Sequence, residues 1–162
     1  MKIGLLYSII RLEEKMLLEK LRERDVEVEK ISDDEHFFEI GSKRFDIDVL
    51  LERSVSFSKG VYISRIFEGM GIPAVNRSVV SETCGDKYFT TQALVRKKVP
   101  TPKVIMAFSE QAALDAVEKM GYPCVIKPVT GSWARLVSRI NDRHAAEAII
   151  EHKSVLGNYM QS

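Results

Sequence analysis

Cysteine, histidine and tryptophan are scarce in this 162-residue chain, at two, three and one copies, and each shortage removes a class of chemistry. Cys84 and Cys124 stand far apart and form no CxxC pair, so the sequence suggests neither a disulfide framework nor a zinc knuckle. His36, His144 and His152 show no metal-ligand spacing and read as surface or partly buried polar residues, so no metal is assigned. No Ser-His-Asp or Cys-His arrangement is evident. Long apolar runs are also lacking. The stretch from Ile3 to Ile10 is too short to cross a bilayer, and Arg11, Glu13 and Glu14 follow it without a small-residue cleavage site, which argues against a secretory signal and for a cytoplasmic protein with no membrane partner. The formal net charge is only +1, and no dense basic stripe interleaved with aromatics marks a nucleic-acid surface.

What is present is an ordinary globular composition, 45% hydrophobic and 29% charged, in a length that suits one domain or two small ones. The small net charge hides an asymmetry. Met1 to Cys84 holds 13 Lys+Arg against 16 Asp+Glu, net −3, whereas Gly85 to Ser162 holds 11 against 7, net +4. The second half therefore favours an anionic ligand or partner, although solvated surface charge alone accounts for such an excess.

Hydrophobic periodicity predicts strand over Lys2–Tyr7, helix over Glu13–Arg24 with Met16, Leu17 and Leu21 facing inward, and an edge or half-buried strand over Val26–Ile31. A small hairpin over Phe37–Phe45, a core strand over Val49–Leu51, a helix over Gly60–Met70 and a short strand over Ile72–Val75 follow. This alternation predicts an α/β fold with a parallel sheet in the first half. Ligands gather at the carboxyl ends of such strands, which makes Glu52, Arg53, Ser54, Ser56, Asn76 and Arg77 a candidate substrate rim, though polar loops arise there in any case. Ser78–Gly85 reads as a linker or short helix, Asp86–Lys98 as a helix, Lys103–Phe108 as a strand, and Ser109 and Asp142 as caps of helices reaching Met120 and Lys153.

The most informative stretch is Val125 to Val137. An apolar run carrying Lys127 gives way to a loop with Gly131, Ser132, Trp133 and Arg135, then to a second β-prone run ending near Ile140. Two strands with a loop between them is the simplest reading, with Gly131 and Ser132 admitting close approach of the backbone to an anion and Lys127 and Arg135 adding charge. Lys127 interrupts an apolar strand, where an ammonium is costly unless it meets an anion or water. On the residues alone Lys87 reads as a solvated helix lysine, and Trp133 equally as a core side chain.

Taken in order, Asn76-Arg77, Cys84-Gly85-Asp86-Lys87, Pro100-Thr101-Pro102-Lys103, Gly121-Tyr122-Pro123, Val125-Ile126-Lys127-Pro128 and Gly131-Ser132-Trp133-Ala134-Arg135-Leu136 resemble the ATP-grasp superfamily. Within it they are similar to the branch of LysX, ArgX and RimK, with Leu51 to Ser56 and Glu151-His152-Lys153 extending the likeness to both ends. The resemblance implies an α/β chain with a Rossmann-like pre-ATP-grasp domain over residues 1–80 and the first α+β ATP-grasp subdomain, truncated, over 81–162, with the second subdomain missing from these residues.

It also implies an ATP-dependent carboxylate–amine ligase that activates a carboxylate as an acyl phosphate and joins it to the α-amino group of aminoadipate or glutamate. The carboxylate would belong to a small acidic amino-group carrier protein of the LysW type. Lys87 and Lys127 match the lysines that hold ATP, and Gly131, Ser132, Trp133, Ala134, Arg135, Leu136 and Val137 match the cover over its phosphates, with Trp133 shielding them from water. Mg2+ is expected in the complete enzyme, on ligands outside these residues, so the 162-residue chain alone is not expected to turn over. A missing C-terminal half or a second copy is a further expected partner. Position 134 departs from the group's usual glycine, and alanine disfavours positive φ. A RimK-like glutamate ligase and a non-catalytic remnant that binds a carrier or partner stay open as alternatives.

Overall fold

The computed structural model describes residues 1–42, 45–131 and 134–159, which divide into two compact units, Met1–Gly85 and Asp86–Ser162. In the first unit β1 (Lys2–Tyr7) leads through α1 (Leu12–Arg22) to β2 (Glu27–Ser32). Then β3 (Val49–Arg53), α2 (Phe57–Gly69), β4 (Ala74–Val75) and α3 (Ser78–Gly85) complete it. Among the described residues the strands form one parallel sheet in the order β2-β1-β3-β4, with Leu5 opposite Lys30 on one side and Leu51 on the other.

Central β1 reads as an unbroken apolar run because helices and loops cover both its faces, and Leu5 and Leu6 are fully buried. Leu6, Ile31, Ile47, Leu50, Ile63, Phe67 and Ala74 form the core. Gly4 suits the close packing here, since a methyl there would overlap the tip of the Ile47 side chain and force it to shift.

Three expectations for this unit change. Residues 37–42 and 45 form no hairpin: the aromatic alternation goes into ring packing, with Phe45 4.8 Å and Phe38 5.9 Å from Phe67 between centroids. The strand predicted over Ile72–Val75 contracts to Ala74–Val75, because Pro73 has no N–H for a ladder and contributes only its carbonyl, to the Leu50 N–H at 2.9 Å. Met16 lies on the solvent side of α1, whose single fully buried side chain is Glu14.

The second unit runs α4 (Lys87–Arg96), α5 (Glu110–Met120), β5 (Cys124–Ile126), β6 (Ser138–Ile140) and α6 (Arg143–Tyr159). The strands pair antiparallel with Cys124 opposite Ile140, and Val117, Ile140, Ala146 and Ile150 form the core between them and α5 and α6. Side-chain caps start each helix: Asp86 Oδ1 accepts from the Tyr88 and Phe89 N–H groups, Ser109 Oγ from Ala112, and Asp142 Oδ1 from Ala145. The strand predicted over Lys103–Phe108 is not formed. Val104 and Phe108 are exposed, Phe108 to 92%, and only Ile105, Met106 and Ala107 are partly buried, whereas β propensity counts only where a pleated surface has neighbours.

Candidate functional site

The β5–β6 connection, residues 127–137, is joined to two helices by lysine side chains. Lys87 is the first residue of α4, where its backbone N–H is free of the helix, and it donates to the Val129 carbonyl at 3.0 Å. The Lys87 ammonium donates to the Gly131 carbonyl at 3.1 Å and reaches the Val129 carbonyl at 3.5 Å. From the other side the Lys153 ammonium, on α6, donates to the Leu136 carbonyl.

Lys127 is the first residue beyond β5 and is exposed, so it does not interrupt the strand as its apolar neighbours suggested. The burial argument for its role therefore lapses, and what remains is its place at the loop entrance. Gly131 has φ +118°, with only the Pro128 side chain, at 3.9 Å, near the position a side chain would take, which suits close approach of a ligand to the backbone. Ala134 and Leu136 sit in left-handed backbone at φ +54° and +57°, each at a cost of about 1–2 kcal/mol for an L residue. Arg135, Leu136 and Val137 are exposed, while Ser132 and Trp133 lie outside the described residues.

The segment carries Lys127 and Arg135 and no carboxylate, and both helix lysines that touch it donate to neutral carbonyl oxygens. Lys127, Arg135 and Lys87 fit phosphate, because the Lys87 ammonium gains by exchanging its carbonyl partner for an ionised oxygen. They do not fit magnesium. Among the described residues no group of three or more His, Cys, Asp or Glu side chains is placed to hold a metal, so none of these residues is assigned to Mg2+.

The candidate rim of the first unit follows the carboxyl ends of its strands and is richer than the sequence suggested. Ser8, after β1, donates to Asp33 Oδ2 at 2.5 Å and accepts from the Val55 N–H at 2.8 Å. The other Asp33 oxygen has Lys59 Nζ at 3.5 Å and, among the described residues, no hydrogen bond. Glu52 accepts from the Ser54 N–H at 2.6 Å, and burial against the side-chain-free Gly60 of α2 pushes its carboxyl up. Ser54 Oγ is buried with no hydrogen-bond partner among the described residues, and Ser56 caps α2.

The Arg53 guanidinium is engaged by Glu14, with Nε at 3.0 Å and Nη2 at 2.8 Å from Oε1. Arg11 holds the same carboxylate through Nε and Nη2, both at 3.0 Å. These bonds, Arg11's first, outweigh burial and bring the Glu14 carboxyl down to about 2. Asn76 and Arg77 follow β4 at the same sheet edge and are exposed. The Ser78 N–H and hydroxyl beside them bond Glu68 at 2.9 and 2.5 Å.

Sequence reasoning gave no site role to Ser8, Glu14, Asp33 or Lys153. For Glu14 a signal existed, since an acid three residues after a helix N-cap commonly reaches back to it, as Glu14 does to the Arg11 N–H at 3.1 Å. Asp33 and Lys153 depend on strand register and helix docking, which carry no local signature.

Residues 3–83 match the family described as LysX preATP-grasp domain, and residues 84–162 the family described as ATP-grasp domain. The chain is similar to the glutamate–LysW ligase ArgX of Sulfurisphaera tokodaii, at 37% identity over 98% of this chain and 56% of that protein. To the alpha-aminoadipate–LysW ligase LysX of the same organism it is 34% identical, over 94% of this chain and 55% of that protein. Among solved structures, the RimK domain protein ATP-grasp from Sphaerobacter thermophilus has a TM-score of 0.84 and 25% identity, over 96% of this chain and 60% of that one. The chain thus spans little more than half the length of these relatives.

Proposed function

The chain belongs to the LysX-type ATP-grasp family, and from that membership we propose that it forms the front part of an ATP-dependent carboxylate–amine ligase, with the nucleotide phosphates at the β5–β6 connection. The observation that carries this reading is the Lys87 ammonium on the Gly131 and Val129 carbonyls, which brings a cation from a helix start onto a carboxylate-free loop.

ATP, when bound, supplies the phosphoryl group that activates a carboxylate for attack by an amine. The chain's own contribution is charge and placement: Lys87 and Lys127 neutralise phosphate oxygens, and residues 131–137 bring backbone N–H groups and the Arg135 side chain to the same anion. Trp133 serves to exclude water from the reacting group, which matters because an acyl phosphate hydrolyses readily.

The relatives act on LysW with glutamate or α-aminoadipate, and we extend that substrate class, a carrier-protein carboxylate and an amino-acid amine, to the complete ligase. Mg2+ belongs to that complete enzyme on ligands other than the residues described here. No described helix is long and apolar enough to cross a membrane, and the proposed location is the cytoplasm. Glu52, Ser54 and Ser56, with Asn76 and Arg77, are proposed as the substrate side of the first unit.

The test is calorimetric titration of the 162-residue chain with ATP. Saturable binding that Lys127→Ala and Lys87→Met each weaken by about tenfold or more supports the reading. Unchanged affinity in both variants contradicts it.

A further inference from the structure

Ala134 and Leu136, at φ +54° and +57°, place Arg135 between two residues of left-handed backbone. L residues persist in that region where neighbouring groups over-determine them. Two contacts do so here. The Val137 N–H donates to the Ala134 carbonyl at 3.2 Å, closing the turn, and the Lys153 ammonium holds the Leu136 carbonyl from α6.

Lys153 is half-buried, and burial pulls its pKa down with no carboxylate acting against it. Among the described residues its partner is a neutral carbonyl. An ammonium drawn partly out of water for one carbonyl is an unfavourable placement unless the geometry that it fixes has a use.

We propose that Lys153 is a positioning residue of the nucleotide site, fixing the turn at 134–136 and so the backbone that carries Arg135. This rests on the reading of the β5–β6 connection as the phosphate site. Lys153 acts through the Leu136 carbonyl rather than through the phosphates. Its role differs from that of Lys87: the Lys87 contacts are exchangeable for an anion, whereas the Lys153 contact stays in place.

The test compares the 162-residue chain with Lys153→Met, Lys153→Arg and the double variant Lys153→Met with Ala134→Gly. Two quantities are read: amide exchange at Val137, whose N–H closes the turn, and affinity for ATP. In Lys153→Met, Val137 exchange should quicken by about tenfold and ATP affinity fall severalfold, while exchange at Ile140 in β6 stays slow and reports an intact core. Arginine should restore both quantities, and glycine at 134 should recover part of each because it takes positive φ without strain.

Unchanged Val137 exchange in a folded Lys153→Met chain overturns the proposal, as does a loss that neither arginine nor glycine recovers. If the unmodified chain binds no ATP, the nucleotide reading fails, while the exchange comparison still decides whether Lys153 holds the turn. Should Lys153→Met not fold, Ala134→Gly alone decides: slower Val137 exchange supports a turn held against strain, and no change overturns it.

Discussion

The two polar clusters of this chain are built on opposite principles. At the sheet edge of the first unit, charges are met by charges: Glu14 lies between Arg11 and Arg53, and Lys59 between Asp33 and Asp34. At the β5–β6 connection of the second unit, the ammonium groups of Lys87 and Lys153 rest on backbone carbonyls. A charge already paired and buried is committed to structure, since removing its partner strands the other ion. A cation on a neutral acceptor keeps most of its field for an incoming anion where that contact exchanges, as proposed for Lys87, and serves to fix the backbone where it does not, as proposed for Lys153. Charge alone therefore does not mark the site, and the identity of each partner decides.

The comparison is broken most severely at Glu14. Glu14→Ala should cost the first unit about 3 kcal/mol, read from urea unfolding, because two partly exposed guanidinium groups lose the fully buried carboxylate that joins them. Its effect on ATP affinity should be negligible.

Acid makes the same point without mutation. The Glu14 carboxyl sits at about 2 when folded against a reference of 4.5, so its stabilisation is full above about pH 4.5 and is lost as pH falls toward 2. The integrated loss is roughly 3 kcal/mol, measurable as a falling urea midpoint across that window, and Glu14→Ala should flatten the acid limb.

Lys87→Met should do the reverse of Glu14→Ala. It should weaken ATP by about tenfold or more, equivalent to about 1.4 kcal/mol or above, while altering first-unit stability little. The smallest effect is expected at Ala134. Ala134→Gly relieves a left-handed alanine at φ +54° and should stabilise the turn by about 0.5–1 kcal/mol, the glycine's greater unfolded freedom offsetting part of the gain. Amide exchange at Val137 is the measurement.

Much of the fold was legible because it is written in local patterns. The parallel sheet follows from apolar runs alternating with helical spacing, and the caps Ser109 and Asp142 were read from residue type alone. The failures share a physical cause. Lys103–Phe108 and Phe37–Phe45 have strand-like composition, but strand formation requires a partner that composition does not specify.

Legibility at the site divides in the same way. Lys127, Gly131 and Arg135 lie together in sequence and were readable as anion chemistry. Resemblance brought Lys87 to the loop from 44 residues away, and the Gly131 carbonyl contact provides a physical counterpart for that pairing. Lys153 reaches Leu136 only through the docking of α6, and the capture of Arg53 by Glu14 depends on how α1 lies against the sheet.

The most direct test of the account is to map amide chemical shifts of the 162-residue chain on addition of ATP. Perturbation should concentrate at Lys87 and along 127–137, with Glu14 and Arg53 silent at their paired positions. Shifts confined to the sheet edge around Ser8, Asp33 and Glu52, with Lys87 and residues 127–137 unmoved, would contradict the assignment of phosphate to the second unit.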